Sequence, residues 1–235
     1  MKISELSEKL KSVEGWLTDG EGELLYNLAK ECSGRGVIVE IGSWKGKSTI
    51  CLALGSKNGS NVIIHAIDPH TGSPEIREQY GDVWSFDEFK QNIQKAQVDD
   101  IIVPIVATSE EAAKQFGAPV ELIFIDGAHE YDSVKLDYEL WFHKLINGGI
   151  MVFHDSTCVP GPKQVVEEVI YNSSRFRNVG VVDKITYAQK VECSSVTDRL
   201  RSQYVRALTH PDEFADRLHL PKPLRSLGKK IIKPH

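Results

Sequence analysis

Glu40-Ile41-Gly42-Ser43-Trp44-Lys45-Gly46-Lys47-Ser48 carries two glycines between an apolar run and a helical pattern. It closes an apolar, β-branched run at 37–41 and opens a segment, 47–54, whose apolar residues recur at helical spacing. A strand that turns through glycines into a helix is the first half of a βαβ unit. Glycine lets the backbone turn sharply there and lets a ligand approach main-chain atoms with no Cβ in the way. A phosphate-binding P-loop needs four residues between its glycines ahead of Lys-Ser/Thr; only three separate Gly42 from Gly46, so Gly46-Lys47-Ser48 does not complete one. The dinucleotide pattern Gly-x-Gly-x-x-Gly is broken too, since Ser43 and Trp44 stand where its second glycine belongs. Glu40 places a carboxylate beside the loop, which opposes a pyrophosphate and suits a cationic amino group.

Outward from that loop, short apolar runs at 62–67, 101–106, 122–125 and 150–153 alternate with helical patterns at 86–96, 110–116 and 133–145. Continuous apolar strands are those of a parallel sheet covered by helices on both faces. Gly148-Gly149 reads as a helix stop followed by a fresh strand. Past Asp155 a helix is expected over 163–171, and then strands at 179–182 and 185–191, too close for a crossover and therefore antiparallel. The expected fold is α/β and doubly wound, a Rossmann-like, mostly parallel seven-stranded sheet ending in an antiparallel hairpin. Residues 1–35 read as an N-terminal helical segment, 36–192 as the main domain, and 193–235 as a basic helical tail carrying Arg199, Arg201, Arg206, Arg217, Arg225, Lys229, Lys230 and Lys233. The long connection at 70–85 leaves the carboxyl end of the sheet and reads as a lid.

The 235 residues are 41% hydrophobic and 26% charged, ordinary globular values, and the net charge of −5 gives no pull toward nucleic acid. Cys32, Cys51, Cys158 and Cys193 make no zinc-site spacing and read as reduced thiols. No apolar run is long enough to span a membrane and no signal-like segment leads the chain, so a cytoplasmic protein is expected. A homodimer is the default assembly.

Chemistry is expected where the strands end. Asp68 closes the second strand near the spacing at which an acidic residue accepts ribose hydroxyls. Asp126 and His129 follow the fourth strand and Asp155 follows the fifth, so the three should converge outside the sheet edge. Two carboxylates with water and substrate oxygens suit magnesium, calcium or manganese, and His129 is the natural proton acceptor.

Glu40-Ile41-Gly42 through Ser48, Asp68-Pro69, Ile125-Asp126-Gly127-Ala128-His129 and Phe153-His154-Asp155 together resemble the S-adenosylmethionine-dependent methyltransferases that include macrolide-sugar O-methyltransferases and cephalosporin-hydroxylase-like proteins. The resemblance covers roughly residues 35–190. It implies a class I methyltransferase that binds S-adenosylmethionine through Glu40, Gly42, Ser43, Gly46 and Ser48, with Asp68 on the ribose, Ser109 and Glu110 near the adenine, and Asp126 also bordering the cofactor. It further implies a divalent metal, magnesium first, at Asp126 and Asp155, with His129 as catalytic base and a small hydroxylated acceptor. Many metal-dependent relatives carry an acid where this chain has His154, which leaves His154 open between ligand, supporting group and substrate contact. A non-catalytic S-adenosylmethionine-binding or partner-binding module and, further off, an NAD-dependent oxidoreductase are the competing readings.

Overall fold

The apolar runs pair side by side because helices cover both faces of the sheet they form. In this computed structural model, residues 3–73, 77–78 and 81–210 are described. The strands are β1 (Val37–Ile41), β2 (Ile64–Ile67), β3 (Ile102–Ile105), β4 (Val120–Ile125), β5 (Leu145–Phe153), β6 (Phe176–Val182) and β7 (Ile185–Lys190). They lie in the order β3-β2-β1-β4-β5-β7-β6. The first five are parallel, and β7 runs antiparallel to both β5 and β6. This is the expected doubly wound α/β sheet with its terminal hairpin.

The helices are α1 (Ile3–Leu10), α2 (Asp19–Lys30), α3 (Lys47–Lys57), α4 (Phe86–Lys95), α5 (Ser109–Gln115), α6 (Tyr131–Phe142), α7 (Pro160–Val166) and α8 (Val196–Thr209). Alternate side chains of β4 divide between two layers, as the period of two requires. Leu122 and Phe124 join Leu25, Ile50, Leu52 and Phe89 beneath α1 to α4, whereas Ile123 and Ile125 join Trp141, Phe153 and Phe176 on the other face. The N-terminal helices thus share a core with the sheet.

The boundary between α6 and β5 differs from expectation. The helix read to residue 145 stops at Phe142, because Lys144 N–H bonds back to Trp141 O and Val120 N–H takes Lys144 O, drawing the chain into the sheet at once. The pair Gly148-Gly149 therefore lies inside β5, where the pairing with β4 slips between Val120 and Leu122. Of the basic tail, α8 packs against β6, and Arg206 is buried on Glu167 with Nε 2.9 Å from Oε1. Arg217, Arg225, Lys229, Lys230 and Lys233 lie outside the described residues, as do 74–76 and 79–80 of the lid. Among the described residues, no helix is long and apolar enough to cross a membrane.

Candidate active site

Strand order reverses between β1 and β4, and a crevice opens at the carboxyl end of such a sheet. Ile41 pairs with Ile125, and Ile125 with Phe153. One residue beyond that row stand Gly42, Asp126 and His154, so register alone brings the glycine loop beside the acidic pair. Gly42 has φ +87°, and a Cβ there would sit 2.0 Å from Asp126 O. The backbones touch, and only glycine fits. Trp44, His70 and Asp155, each just past a strand, also hold positive φ (45°, 58° and 52°). Left-handed non-glycine residues cost on the order of 1 kcal/mol or more each, and they gather at sites where geometry outranks comfort.

On the β1 side, Glu40 is fully buried. Its Oε2 accepts a short hydrogen bond from the Thr49 hydroxyl, the Ser48 hydroxyl also bonds it, and Oε1 has no partner. Burial pushes its pKa up to about 8 against those hydrogen bonds. Ser43 Oγ is likewise buried and unpartnered. Gly46, left-handed, is the N-cap of α3. Asp68 is pinned by two backbone amides: Trp44 N–H donates to Oδ2 at 2.7 Å and His70 N–H to Oδ1 at 2.6 Å.

On the β4–β5 side, His154 Nδ1 lies 3.0 Å from Asp126 Oδ1 and 3.3 Å from Asp155 Oδ2, yet with neither does it have hydrogen-bond geometry. His129 Nε2 is 3.3 Å from Asp155 Oδ2, and Lys184 Nζ is 3.4 Å from Asp155 Oδ1. The His129 loop is positioned by α7, where a Cβ on Gly161 would fall 2.0 Å from His129 O. Burial opposes charge on His154, but Asp126, Asp155 and Glu21 outweigh it and hold its pKa up at about 12. Burial would raise Asp155, which His154, Lys184 and His129 instead hold down at about 2. Asp126 stays above the usual carboxylate range because burial exceeds the pull of His154. Three carboxylates around one imidazole require a positive charge among them. A proton on His154 supplies it in the chain alone, and a cation shared by Asp126, His154 and Asp155 would supply it instead. Ligand atoms of these three lie within 4.8 Å of one another.

Glu40, Gly42, Ser43, Gly46, Ser48 and Asp68 are therefore gathered on one side of the crevice, and Asp126, His129, His154 and Asp155 on the other. Ser109 and Glu110 are not brought into this cluster: Ser109 Oγ takes Trp141 Nε1–H at 2.9 Å and bonds the buried Asp137, and Glu110 pairs with Lys114 on the surface. Sequence reading missed Glu21 and Lys184. Glu21 carried a signal, the capping box Thr18-x-x-Glu21, but nothing local pointed it at a residue 133 positions away. Lys184 sits in the β6–β7 turn, and only the sheet order brings that turn to β5.

Residues 39–156, about half of the chain, match the family model described as a methyltransferase domain, and this chain belongs to that family. The uncharacterized protein R132 of Acanthamoeba polyphaga mimivirus is 29% identical over 120 residues, 50% of each chain, so this chain spans about half the length of that curated relative. Among solved structures, the O-methyltransferase NovP is similar over 74% of this chain and 81% of its own, at 16% identity and TM-score 0.65. The O-methyltransferase TomG from Streptomyces achromogenes, solved with S-adenosylmethionine, matches over 80% and 89% (16%, TM-score 0.57). That of Bacillus cereus, solved with S-adenosylhomocysteine, matches over 81% and 92% (19%, TM-score 0.57). At these identities the likeness shows a shared fold.

Proposed function

We propose that this chain is an S-adenosylmethionine-dependent O-methyltransferase that acts on a hydroxyl of a small polyoxygenated acceptor, a sugar or secondary metabolite, with a divalent cation, magnesium first, at Asp126, His154 and Asp155. Family membership supports methyl transfer, and TomG and the Bacillus enzyme, held with S-adenosylmethionine and its product, support the cofactor. The observation that carries the reading is the single row in which the loop of Gly42 abuts Asp126, with His154, Asp155 and His129 beside it.

The residues fit both groups. The unpartnered, buried Oε1 of Glu40 suits the cationic amino group of a methionine moiety, and Ser43 Oγ is a second orphaned polar atom under the same loop. Asp68, pinned by two amides, keeps lone pairs for ribose hydroxyls. Two carboxylates and an imidazole nitrogen are a donor set for magnesium or manganese, and the orphaned Nδ1 of His154 faces the carboxylates as a ligand would.

S-adenosylmethionine supplies a methyl group already activated on a sulfonium, so the chain's work is orientation and proton removal. A divalent ion supplies charge that lowers the pKa of the acceptor hydroxyl. His129 takes that proton at Nδ1, and Asp155 Oδ2, 3.3 Å from Nε2, steadies the ring and the charge it gains. Lys184, on the same Asp155, closes the cluster from the hairpin side and leaves its carboxylate ionised.

The test is transfer of labelled methyl from S-adenosylmethionine to a panel of polyhydroxylated acceptors with magnesium. Asp126→Ala is expected to bind the cofactor and to lose transfer by at least about 100-fold, the scale of a lost catalytic cation or base. Unchanged turnover in that variant would remove the cation from the account, and binding without transfer to any acceptor would favour a non-catalytic module.

A further inference from the structure

We infer that Glu21, on the N-terminal helix α2, is a positioning residue for the cation site: it holds the His154 ring so that Nδ1 faces Asp126 and Asp155. The inference rests on the reading of Asp126, His154 and Asp155 as cation ligands. Glu21 is completely buried. Its Oε2 accepts Thr18 N–H at 2.9 Å and faces His154 Nε2 at 3.4 Å, while Oε1 accepts Lys184 N–H at 3.0 Å. One carboxylate thus ties together the start of α2, the end of β5 and the β6–β7 turn.

Helix capping does not account for its burial. Among the described residues two further capping boxes occur, Thr108 with Glu111 on α5 and Ser195 with Asp198 on α8, and both make the same reciprocal bonds at the surface. A capping acid needs no burial, and burying a carboxylate is expensive unless its partners are fixed. What Glu21 has and the other two lack is an imidazole in front of it. A carboxylate only accepts, so the proton between the two belongs to Nε2. With Nε2–H committed, Nδ1 is left toward the two carboxylates, 3.0 and 3.3 Å away, where it carries the second proton in the chain alone and would present its lone pair to a cation that replaced that proton, and Phe124 packs edge-on against the same ring. A carboxylate that fixes the tautomer and tilt of a ligating histidine is a general device of metal sites. Here it comes from a helix outside the segment of residues 39–156 that defines the family.

The experiment is titration of the full chain with Mn2+ alone, followed by electron paramagnetic resonance, on wild type, Glu21→Gln and Thr18→Ala. Glu21→Gln is expected to weaken Mn2+ binding 10- to 100-fold, roughly the usual effect of losing such a partner, while circular dichroism shows the fold retained. Thr18→Ala breaks the same cap without touching His154, so it should lower the melting temperature and leave Mn2+ affinity within about twofold. Ring 15N shifts should report a doubly protonated His154 in the metal-free chain and, with Mg2+ added, a neutral ring protonated at Nε2 in wild type, a change that Glu21→Gln weakens. If Glu21→Gln does not fold, Glu21→Asp, which retracts the carboxylate by one methylene, should fold and still weaken Mn2+. Mn2+ affinity unchanged in the Glu21 variants, or weakened equally by Thr18→Ala, overturns the inference while the cation site stands. Wild type that binds no Mn2+ at millimolar concentration overturns the cation site itself, and this inference with it.

Discussion

Replacing Glu40 with glutamine tests the cofactor side of the crevice through two independent readouts. The folded chain holds the Glu40 proton up to about pH 8, against 4.5 for an ordinary glutamate, chiefly because the group is wholly buried. The folded state binds that proton more tightly than the unfolded state, so this residue's contribution to stability is fully present below pH 4.5 and is lost as pH rises from there toward 8. At pH 7 the loss is on the order of 3 kcal/mol, from about 1.4 kcal/mol per pKa unit. Glu40→Gln is neutral throughout. Wild type and variant share every other titrating group, so the gap between their stabilities should widen as pH rises from 5 toward 8, and near pH 7 the variant should exceed wild type by up to roughly 3 kcal/mol, less about 1 kcal/mol for weaker bonds to Ser48 and Thr49. Urea unfolding across that range measures the difference. If the amino group of S-adenosylmethionine meets Glu40, wild type must also release a proton on binding, close to nine-tenths of one at pH 7, and calorimetry in buffers of different ionisation enthalpy counts it. The variant should release none and bind about 10- to 100-fold more weakly, the loss expected of one buried charge-assisted bond. Parallel stability profiles, or equal affinity and proton release in both proteins, would refute the reasoning.

Gly42→Ala would drive a methyl into Asp126 O and strain a left-handed residue, so a loss of about 3 kcal/mol or more and abolished cofactor binding are expected, read by thermal unfolding and calorimetry. Burial raises Asp137 to about 6 despite its bond to Ser109, so stability is lost as pH climbs from 4 through 6. Asp137→Asn should regain up to roughly 3 kcal/mol at pH 7 and show no such slope in denaturant unfolding. Arg206→Ala leaves the Glu167 carboxylate at the base of α8 without its bidentate partner and should destabilise by about 3 kcal/mol or more, detectable as a lowered urea midpoint.

The mostly parallel sheet and its terminal hairpin were legible because apolar β-branched runs separated by helical patterns leave few alternatives, and the short hairpin at 183–184 forces antiparallel strands. The convergence of Asp126, His129 and Asp155 was legible for the same reason, since they follow the ends of neighbouring strands. Misplacement came where one backbone hydrogen bond outweighs propensity: Lys144 ends α6 early and puts the glycine pair inside a strand. Glu21 and Lys184 were hidden because their contacts cross 133 positions to His154 and a hairpin turn to Asp155, and no spacing rule encodes either. Ser109 turns to Trp141 and Asp137, a side-chain contact that depends on how α6 packs and that no local spacing encodes.

In the proposed function one crevice holds both the methyl donor and a cation. Crystals grown with S-adenosylhomocysteine and Mn2+, and measured at the manganese edge, test it most directly. An anomalous peak bounded by Asp126, His154 Nδ1 and Asp155 is expected, with the nucleoside product beside the Gly42 loop and its amino group toward Glu40. A product bound elsewhere, or manganese absent from those three residues when the product is in place, would contradict it.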